Sequence, residues 1–162
     1  MVDGTRHVLG VVGAVGTGAM GGFFLAFSTI AMTGLRRIAP PEGLRAMQAI
    51  NQSANSSPVL LVSLMGTGVV CAAAVVTSIG RLDEAASVYQ LVAAGLYLVG
   101  TLGLTIVFHV PRNNDLDLLD AASPASIGAW RDYARTWTAG NHVRAVSSLL
   151  ATIAFVLSIR AE

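Results

Sequence analysis

The residues best suited to chemistry in this chain lie at the head of its last apolar segment, in the stretch Trp137-Thr138-Ala139-Gly140-Asn141-His142-Val143-Arg144. The uncharged run that follows, 145–159, has only 15 residues. It makes about 22 Å of helix, whereas the hydrocarbon core of a bilayer is about 30 Å thick. Either this helix falls short of a full span, or Asn141, His142 and Arg144 enter the membrane. Ionisable groups at that depth usually face a bundle interior and serve function, so we predict these three residues to be catalytic.

A second group of side chains is predicted to reach the same membrane face from other segments. A polar stripe at i+4 intervals runs down the third apolar segment from Tyr97 and ends at His109. In the connection after the first apolar segment, Gln48 and Asn51 share one face of a predicted helix. The candidate substrate-binding residues are Trp130, Trp137, Asn51, Gln48, Asn113, His109 and Tyr97.

The composition indicates an integral membrane protein. Of the 162 residues, 54% are hydrophobic and only 12% are charged, which lies outside the range of ordinary soluble domains. Four long uncharged runs predict membrane-spanning helices at about 8–35, 58–80, 85–110 and 140–159. These runs use most of the chain, so residues 1–162 are predicted to form a single domain. The expected fold class is all-α, a four-helix transmembrane bundle.

Four spans place both long connections on one side of the membrane, the loop face, and both termini on the other, the terminal face. Short amphipathic helices are predicted in these connections, over 42–55 across the bundle mouth and over 123–137 in the interface. In the second, Ser123 is the predicted N-cap and Pro124 the first helical residue. This helix is expected to bend before it joins the last span.

The arginines predict the orientation in the membrane. All ten basic residues are arginine, and seven of them lie at the loop face. By the positive-inside rule, both long loops are predicted to be cytoplasmic and both termini to lie on the opposite side of a cell inner membrane.

The charge pattern also limits the partners. A net charge of +1 without runs of like charge gives no indication of nucleic-acid binding. The motif Gly16-Thr17-Gly18-Ala19-Met20-Gly21 has the spacing of a dinucleotide fingerprint, but it lies inside an apolar span, where it favours close helix packing through Gly18 and Gly22. Such glycine faces permit a homo-oligomer. The expected partners are the lipid bilayer, a lipophilic aromatic small molecule and dioxygen.

The histidines leave a second interpretation open. His109 and His142 are both expected at the loop face, where two imidazoles could hold one metal or haem in a redox subunit. The chain has no HxxxH, HExxH or CxxCH spacing to support such a site, and our prediction is no metal and no cofactor. A third interpretation is a non-enzymatic packing partner or small-solute carrier, although we find no internal repeat of the kind that carriers often show.

An ordered set of motifs resembles the anthrone oxygenase-like integral membrane proteins. These motifs are Ala46-Met47-Gln48-Ala49-Ile50-Asn51, Val110-Pro111-Arg112-Asn113, and the segment from Trp130 through Trp137 to Asn141-His142-Val143-Arg144. The resemblance covers nearly the whole chain and implies a four-helix membrane fold. As in fungal members, it also implies oxidation of a polyphenolic anthrone to an anthraquinone by dioxygen without a recognised organic cofactor. The family commonly has Asn where this chain has His109.

The residues suggest how such a monooxygenase would work. An anthrone has an acidic CH2 opposite a ketone, and its carbanion can pass an electron to dioxygen unaided. His142 is predicted to be the general base, and Arg144 to hold the enolate oxygen. The neutral donors are predicted to be Asn141, Asn51 and Asn113. Stacking on a flat substrate is predicted for Trp130, Trp137 and Tyr97. The predicted function is a cofactor-independent oxidoreductase for a lipophilic polyphenolic or quinol-like aromatic.

Overall fold

Four long apolar helices make up the protein. The computed structural model describes residues 2–161, and within these residues it contains helices, turns and no β-strand. Four helices are long and apolar enough to cross a membrane, and we name them spans 1 to 4: Gly4–Leu35, Pro58–Ser78, Ala85–Asp117 and Ser126–Arg160. The all-α class and the four-span architecture are therefore confirmed, and the protein is an integral membrane protein.

The spans include wider π-helical turns as well as α-helix. In chain order the α-helices are α1 (Val2–Ala26), α2 (Met32–Leu35), α3 (Pro40–Asn55), α4 (Pro58–Ser78), α5 (Ala85–Tyr97), α6 (Val110–Asp117) and α7 (Ser126–Arg160). A π-helical turn interrupts span 1 at Phe27–Ala31, and two interrupt span 3 at Leu98–Gly103 and Thr105–His109. Such turns often mark functional sites because the extra residue changes which side chains face a neighbouring helix.

The last helix differs from the sequence prediction. The predicted interfacial helix 123–137 and last span 140–159 form one helix of 35 residues, α7, so the prediction of a bend between two separate helices was wrong. The helix continues through Gly140, where Phe108 and His109 of span 3 pack closely against α7. The helix also begins later than predicted, at Ser126, whose N–H bonds to the carbonyl of Ser123 in a preceding turn. Span 3 likewise continues beyond its predicted end at 110, to Asp117.

The short helix predicted at the mouth of the bundle is present as α3. Its first turn contains Pro40 and Pro41, whose fixed φ suits the start of a helix. The Gln48 amide nitrogen donates hydrogen bonds to the carbonyls of Leu116 and Leu119, both at 2.9 Å. The neighbouring turn adds a bond from Asn51 to the end of span 3. These bonds attach α3 to the loop-face end of span 3.

The spans pack around a continuous interior. Span 1 packs against spans 2 and 4, and span 3 packs against the same two helices. Glycines allow the closest approaches: a Cβ at Gly13 would lie 2.7 Å from the Phe155 ring, and one at Gly16 would lie 2.5 Å from the Thr67 hydroxyl. The dinucleotide-like motif is thus part of a helix interface, as predicted. Of the predicted pair Gly18 and Gly22, however, Gly22 faces open space.

A polar network joins three spans at the terminal face. The Gln90 side chain is fully buried; its nitrogen donates to the Arg6 carbonyl at 2.9 Å, and its oxygen accepts from the Ser78 hydroxyl at 3.0 Å. The Arg6 guanidinium in turn forms an ion pair with Glu84, just before span 3. Because buried polar groups are costly unless they are bonded, this network favours one register of the three helices.

Glu84→Gln is expected to lower the melting temperature slightly at neutral pH, by at most about 3 °C, because Glu84 is partly exposed and such ion pairs are weak. The hydrogen bond from Arg6, and then the charges of Arg6 and Arg81, lower the pKa of Glu84. A carboxyl whose pKa is lowered by folding stabilises the fold above its unfolded pKa, about 4.3, and loses this contribution as the pH falls. The difference between wild type and variant should therefore shrink below about pH 4. Asp83→Asn, at the exposed neighbouring residue, is the control.

Candidate active site at the loop face

A cavity of about 180 Å³ lies between the four spans in the loop-face half of the bundle, beneath α3. One water molecule needs about 10–15 Å³ by the same measure, so the cavity has room for a small ring system. Most of its wall is apolar. The polar residues that line it are Asn51, Asn55, Thr105, His109, Asn113 and Arg144. An apolar pocket with a few convergent polar groups is the usual form of a small-molecule site.

Arg144 brings a buried positive charge to this cavity. Its two terminal nitrogens donate to Thr105 Oγ1 at 3.1 Å and to Asn141 Oδ1 at 2.7 Å. The guanidinium carbon lies 4.3 Å from the ring centroid of Phe24 and 5.3 Å from that of Trp137. Among the described residues no carboxylate pairs with Arg144, and its Nε has no hydrogen-bond partner. A buried charge without a counter-ion is costly, which favours an anionic ligand at this position.

Asn141 holds Arg144 in place. Its amide nitrogen donates to the Phe24 carbonyl at 2.7 Å and to the Ser28 hydroxyl at 2.6 Å, while its oxygen accepts from Arg144. Ser28 belongs to the π-helical turn of span 1. The predicted catalytic residue Asn141 is thus brought next to Arg144, but it does not itself line the cavity. It acts as a positioning residue that ties span 4 to span 1.

His109 is the second ionisable group in the cavity wall. The π-helical turn Thr105–His109 carries it, and its side chain is buried. Its ring lies edge-on to Phe108 and Trp137, with centroid distances of 5.1 and 5.0 Å. Neither ring nitrogen forms a side-chain hydrogen bond within the part of the chain that the structure describes, and the ring lies against the Gly140 backbone. Buried nitrogens without partners are rare, so the imidazole is suited to exchange a proton with a bound molecule.

Asn113 completes the polar wall. Its side-chain oxygen accepts hydrogen bonds from the Tyr133 hydroxyl at 2.9 Å and from Trp137 Nε1 at 2.8 Å. These two bonds fix the amide orientation and leave its NH2 group as the donor for a ligand. They also hold the Trp137 indole in the cavity wall.

The comparison with protein families agrees with this geometry. The family model described as anthrone oxygenase matches residues 58–154, well over half of the chain. The chain belongs to the anthrone oxygenase family. No curated protein and no solved structure matches it. The matched region contains His109, Asn113, Trp137 and Arg144, so the main polar and aromatic wall of this anthrone oxygenase-like protein lies within it, whereas α3 precedes it.

His142 does not lie where the sequence analysis placed it. It is exposed on the outside of α7 and does not line the cavity, so the prediction that it faces the chamber was wrong. The reason is helical geometry: residues two apart on a helix point about 200° apart, and Gly140 packs against His109. The proposed metal or haem pair of His109 and His142 is therefore not formed. The described residues also contain no group of three His, Cys, Asp or Glu side chains that could hold a metal.

The predicted substrate-binding residues divide into two groups. The structure brings four of them to the cavity wall, namely Asn51, His109, Asn113 and Trp137. The other three lie elsewhere. Gln48 bonds to the end of span 3, Tyr97 is buried and donates to the Leu64 carbonyl at 3.1 Å, and Trp130 packs in the loop-face core beside Gly43. None of these three lines the cavity, because each packs against a neighbouring helix.

Two residues that contact Arg144 were not predicted from the sequence. Thr105 accepts a hydrogen bond from Arg144, and the Phe24 ring lies against its guanidinium. Thr105 could have been found, because it precedes His109 by four residues in the polar stripe. Phe24 gives no signal in the sequence, since one phenylalanine in an apolar span resembles any other.

Gly140→Ala is expected to disturb the site directly. A Cβ there would lie 2.6 Å from Phe108 Cε1 and 3.1 Å from His109 Nε2, so span 3 or the imidazole must move. Small displacements of catalytic groups are costly, and we expect turnover to fall about tenfold or more. Gly128→Ala on the same helix is the matched control, because a Cβ there meets nothing within 4 Å. Equal activity of both variants would contradict this placement of His109.

Proposed function

We propose that this protein is a cofactor-independent membrane oxygenase that uses dioxygen to oxidise a lipophilic polyphenolic or quinol-like aromatic. The observation that carries the proposal is an apolar cavity with a guanidinium and an imidazole in one wall. Among the described residues, the guanidinium has no carboxylate partner and the imidazole has no side-chain hydrogen-bond partner. Membership of the anthrone oxygenase family supports the same reaction class. An anthrone that loses a proton becomes the anion that such a wall would stabilise.

The reaction balances without a further reductant. His109 takes a proton from the CH2 group, and the negative charge moves through the ring to the ketone oxygen beside Arg144. The carbanion passes one electron to dioxygen, and the resulting radical and superoxide combine at the same carbon. His109 returns its proton to the peroxide anion, and the resulting hydroperoxide loses water and leaves a ketone. In sum, one CH2 group and one O2 give one C=O group and one H2O.

Each wall residue has a defined part in this scheme. Arg144 stabilises the enolate oxygen, and the Asn113 amide donates a further hydrogen bond; both act in a site of low dielectric, where such donors have their largest effect. Trp137 and Phe24 offer aromatic surfaces to a flat substrate. His109 replaces His142 as the proposed base because it lies in the wall.

The orientation in the membrane forms part of the proposal. Seven of the ten arginines belong to the loop face, so we infer that this face and the cavity beneath it are on the cytoplasmic side. Access of a labelling reagent to a cysteine introduced at the exposed Ser53 would test this in intact cells.

The proposed function is tested by turnover in purified protein. In lipid nanodiscs with anthrone, we expect anthraquinone to form with one O2 consumed per molecule, above the rate in empty nanodiscs. Xanthone, in which oxygen replaces the CH2 group, should give no oxygen uptake. No rate above the blank would refute the proposal, and loss of activity on treatment with a chelator would refute its cofactor-independent part.

A further inference from the structure

The cavity wall also reaches the outside of the bundle between spans 2 and 3, besides the exposed lining residues Phe23 of span 1 and Asn55 of α3. Leu61 and Met65, one turn apart on span 2, line the cavity and are each 43% exposed. Ile106 and Val110, one turn apart on span 3, also line it and are 55% and 44% exposed. These four residues, which we name the portal residues, border an opening between spans 2 and 3.

The helix packing explains why the opening lies there. Span 2 packs extensively on α5 and also packs on the π-helical turn Leu98–Gly103 of span 3, but at most weakly on the segment from Thr105 to Asp117. The two spans therefore separate towards the loop face. α3 covers the loop-face end of the gap, where Gln48 bonds to Leu116 and Leu119, but it leaves the portal residues exposed.

The position of the portal residues indicates lipid rather than water outside. All four side chains are aliphatic or thioether groups. Met65 lies seven residues inside span 2, or about 10 Å below its loop-face end at the rise of an α-helix. Methionine is flexible and adapts to irregular apolar shapes, so it can line such an opening without closing it.

We propose that the substrate has an acidic aromatic head, which enters the cavity from the bilayer, and a hydrocarbon tail that stays between the portal residues and in the lipid. This inference rests on the proposed function. The cavity of about 180 Å³ takes the ring system, and the portal provides an apolar path for the tail. The head enters uncharged, since ions are costly in hydrocarbon, and becomes an anion only beside Arg144.

Closing the portal provides the test. The double variant Met65→Trp with Ile106→Trp places two large side chains in the opening. The matched control is Val69→Trp with Val107→Trp, because these residues are 68% and 72% exposed on the same two spans and do not line the cavity. The turnover probes are anthrone and an anthrone with a decyl chain. A decyl-substituted hydroxyanthraquinone, which has no CH2 group to oxidise, measures binding in nanodiscs.

The portal variant is expected to lower kcat/KM for the decyl-anthrone, and affinity for the decyl-hydroxyanthraquinone, at least tenfold relative to the control. Anthrone without a tail should lose less than the decyl-anthrone, because it needs the opening only for entry, whereas the decyl chain must stay between the portal residues once the head is bound. Equal losses for tailed and tailless probes, or none, would overturn the inference. Portal-dependent binding of the decyl probe without turnover of either anthrone would support the inference and refute the proposed function, so the two failures are distinguishable.

Discussion

Replacing Arg144 with Gln is expected to reduce kcat/KM for anthrone at least about 100-fold, the loss typical of removing one donor to a developing oxyanion. Arg144 is the only arginine that lines the cavity, within the part of the chain that the structure describes. Glutamine keeps a neutral donor but removes the charge that would stabilise the enolate. Most of the loss should therefore appear in kcat, measured as anthraquinone formation together with O2 uptake.

The controls separate a lost charge from a damaged fold. Arg160→Gln removes an exposed charge from the other end of the same helix and should leave turnover unchanged. Arg144→Lys keeps the charge but loses the planar fork that bonds Thr105 and Asn141, so it should restore part of the rate. Because wild-type Arg144 has no carboxylate partner among the residues that the structure describes, we expect the melting temperature of Arg144→Gln to be equal to or above that of wild type. Full turnover in this variant would contradict the proposed mechanism.

His109→Ala is expected to lower kcat about 100-fold or more, within the range for loss of a positioned general base. Proton removal should become slower than the later steps, so the isotope effect with a CD2 substrate should rise. His142→Ala is the matched control. Since His142 is exposed outside the cavity, its removal should change kcat less than twofold.

A third variant tests whether the imidazole itself is required. His109→Asn introduces a side chain that can form hydrogen bonds but cannot accept a proton at neutral pH. If it keeps wild-type kcat, His109 is not the base. If instead it is as slow as His109→Ala, the imidazole itself is required for turnover.

Much of the architecture could be predicted from the sequence, because it depends on local properties. Apolar runs long enough for a bilayer predict spans whatever their neighbours are, and helical periodicity in the first connection predicts α3. Exposing an arginine to lipid is costly, so the inward orientation of Arg144 could also be predicted. Here the prediction holds: Arg144 is buried and lines the cavity.

The wrong placement of His142 in the cavity could have been avoided from the sequence alone. Asn141 and Arg144 are three residues apart and therefore share one helix face. His142 is two residues before Arg144, so the two side chains point about 200° apart. An inward Arg144 therefore already disfavours an inward His142.

Only the tertiary structure decided which side chains meet. His109 reaches the cavity on a π-helical turn, and no local pattern predicts where the extra residue of such a turn is inserted. Trp130 and Trp137 are both tryptophans of α7. Trp130 nevertheless packs beside Gly43, whereas a hydrogen bond to Asn113 holds Trp137 in the cavity wall. The portal, too, exists because spans 2 and 3 diverge. Hydrophobicity and periodicity belong to one segment of chain, whereas a cavity is defined by the distances between segments, and those follow from packing that is distant in sequence.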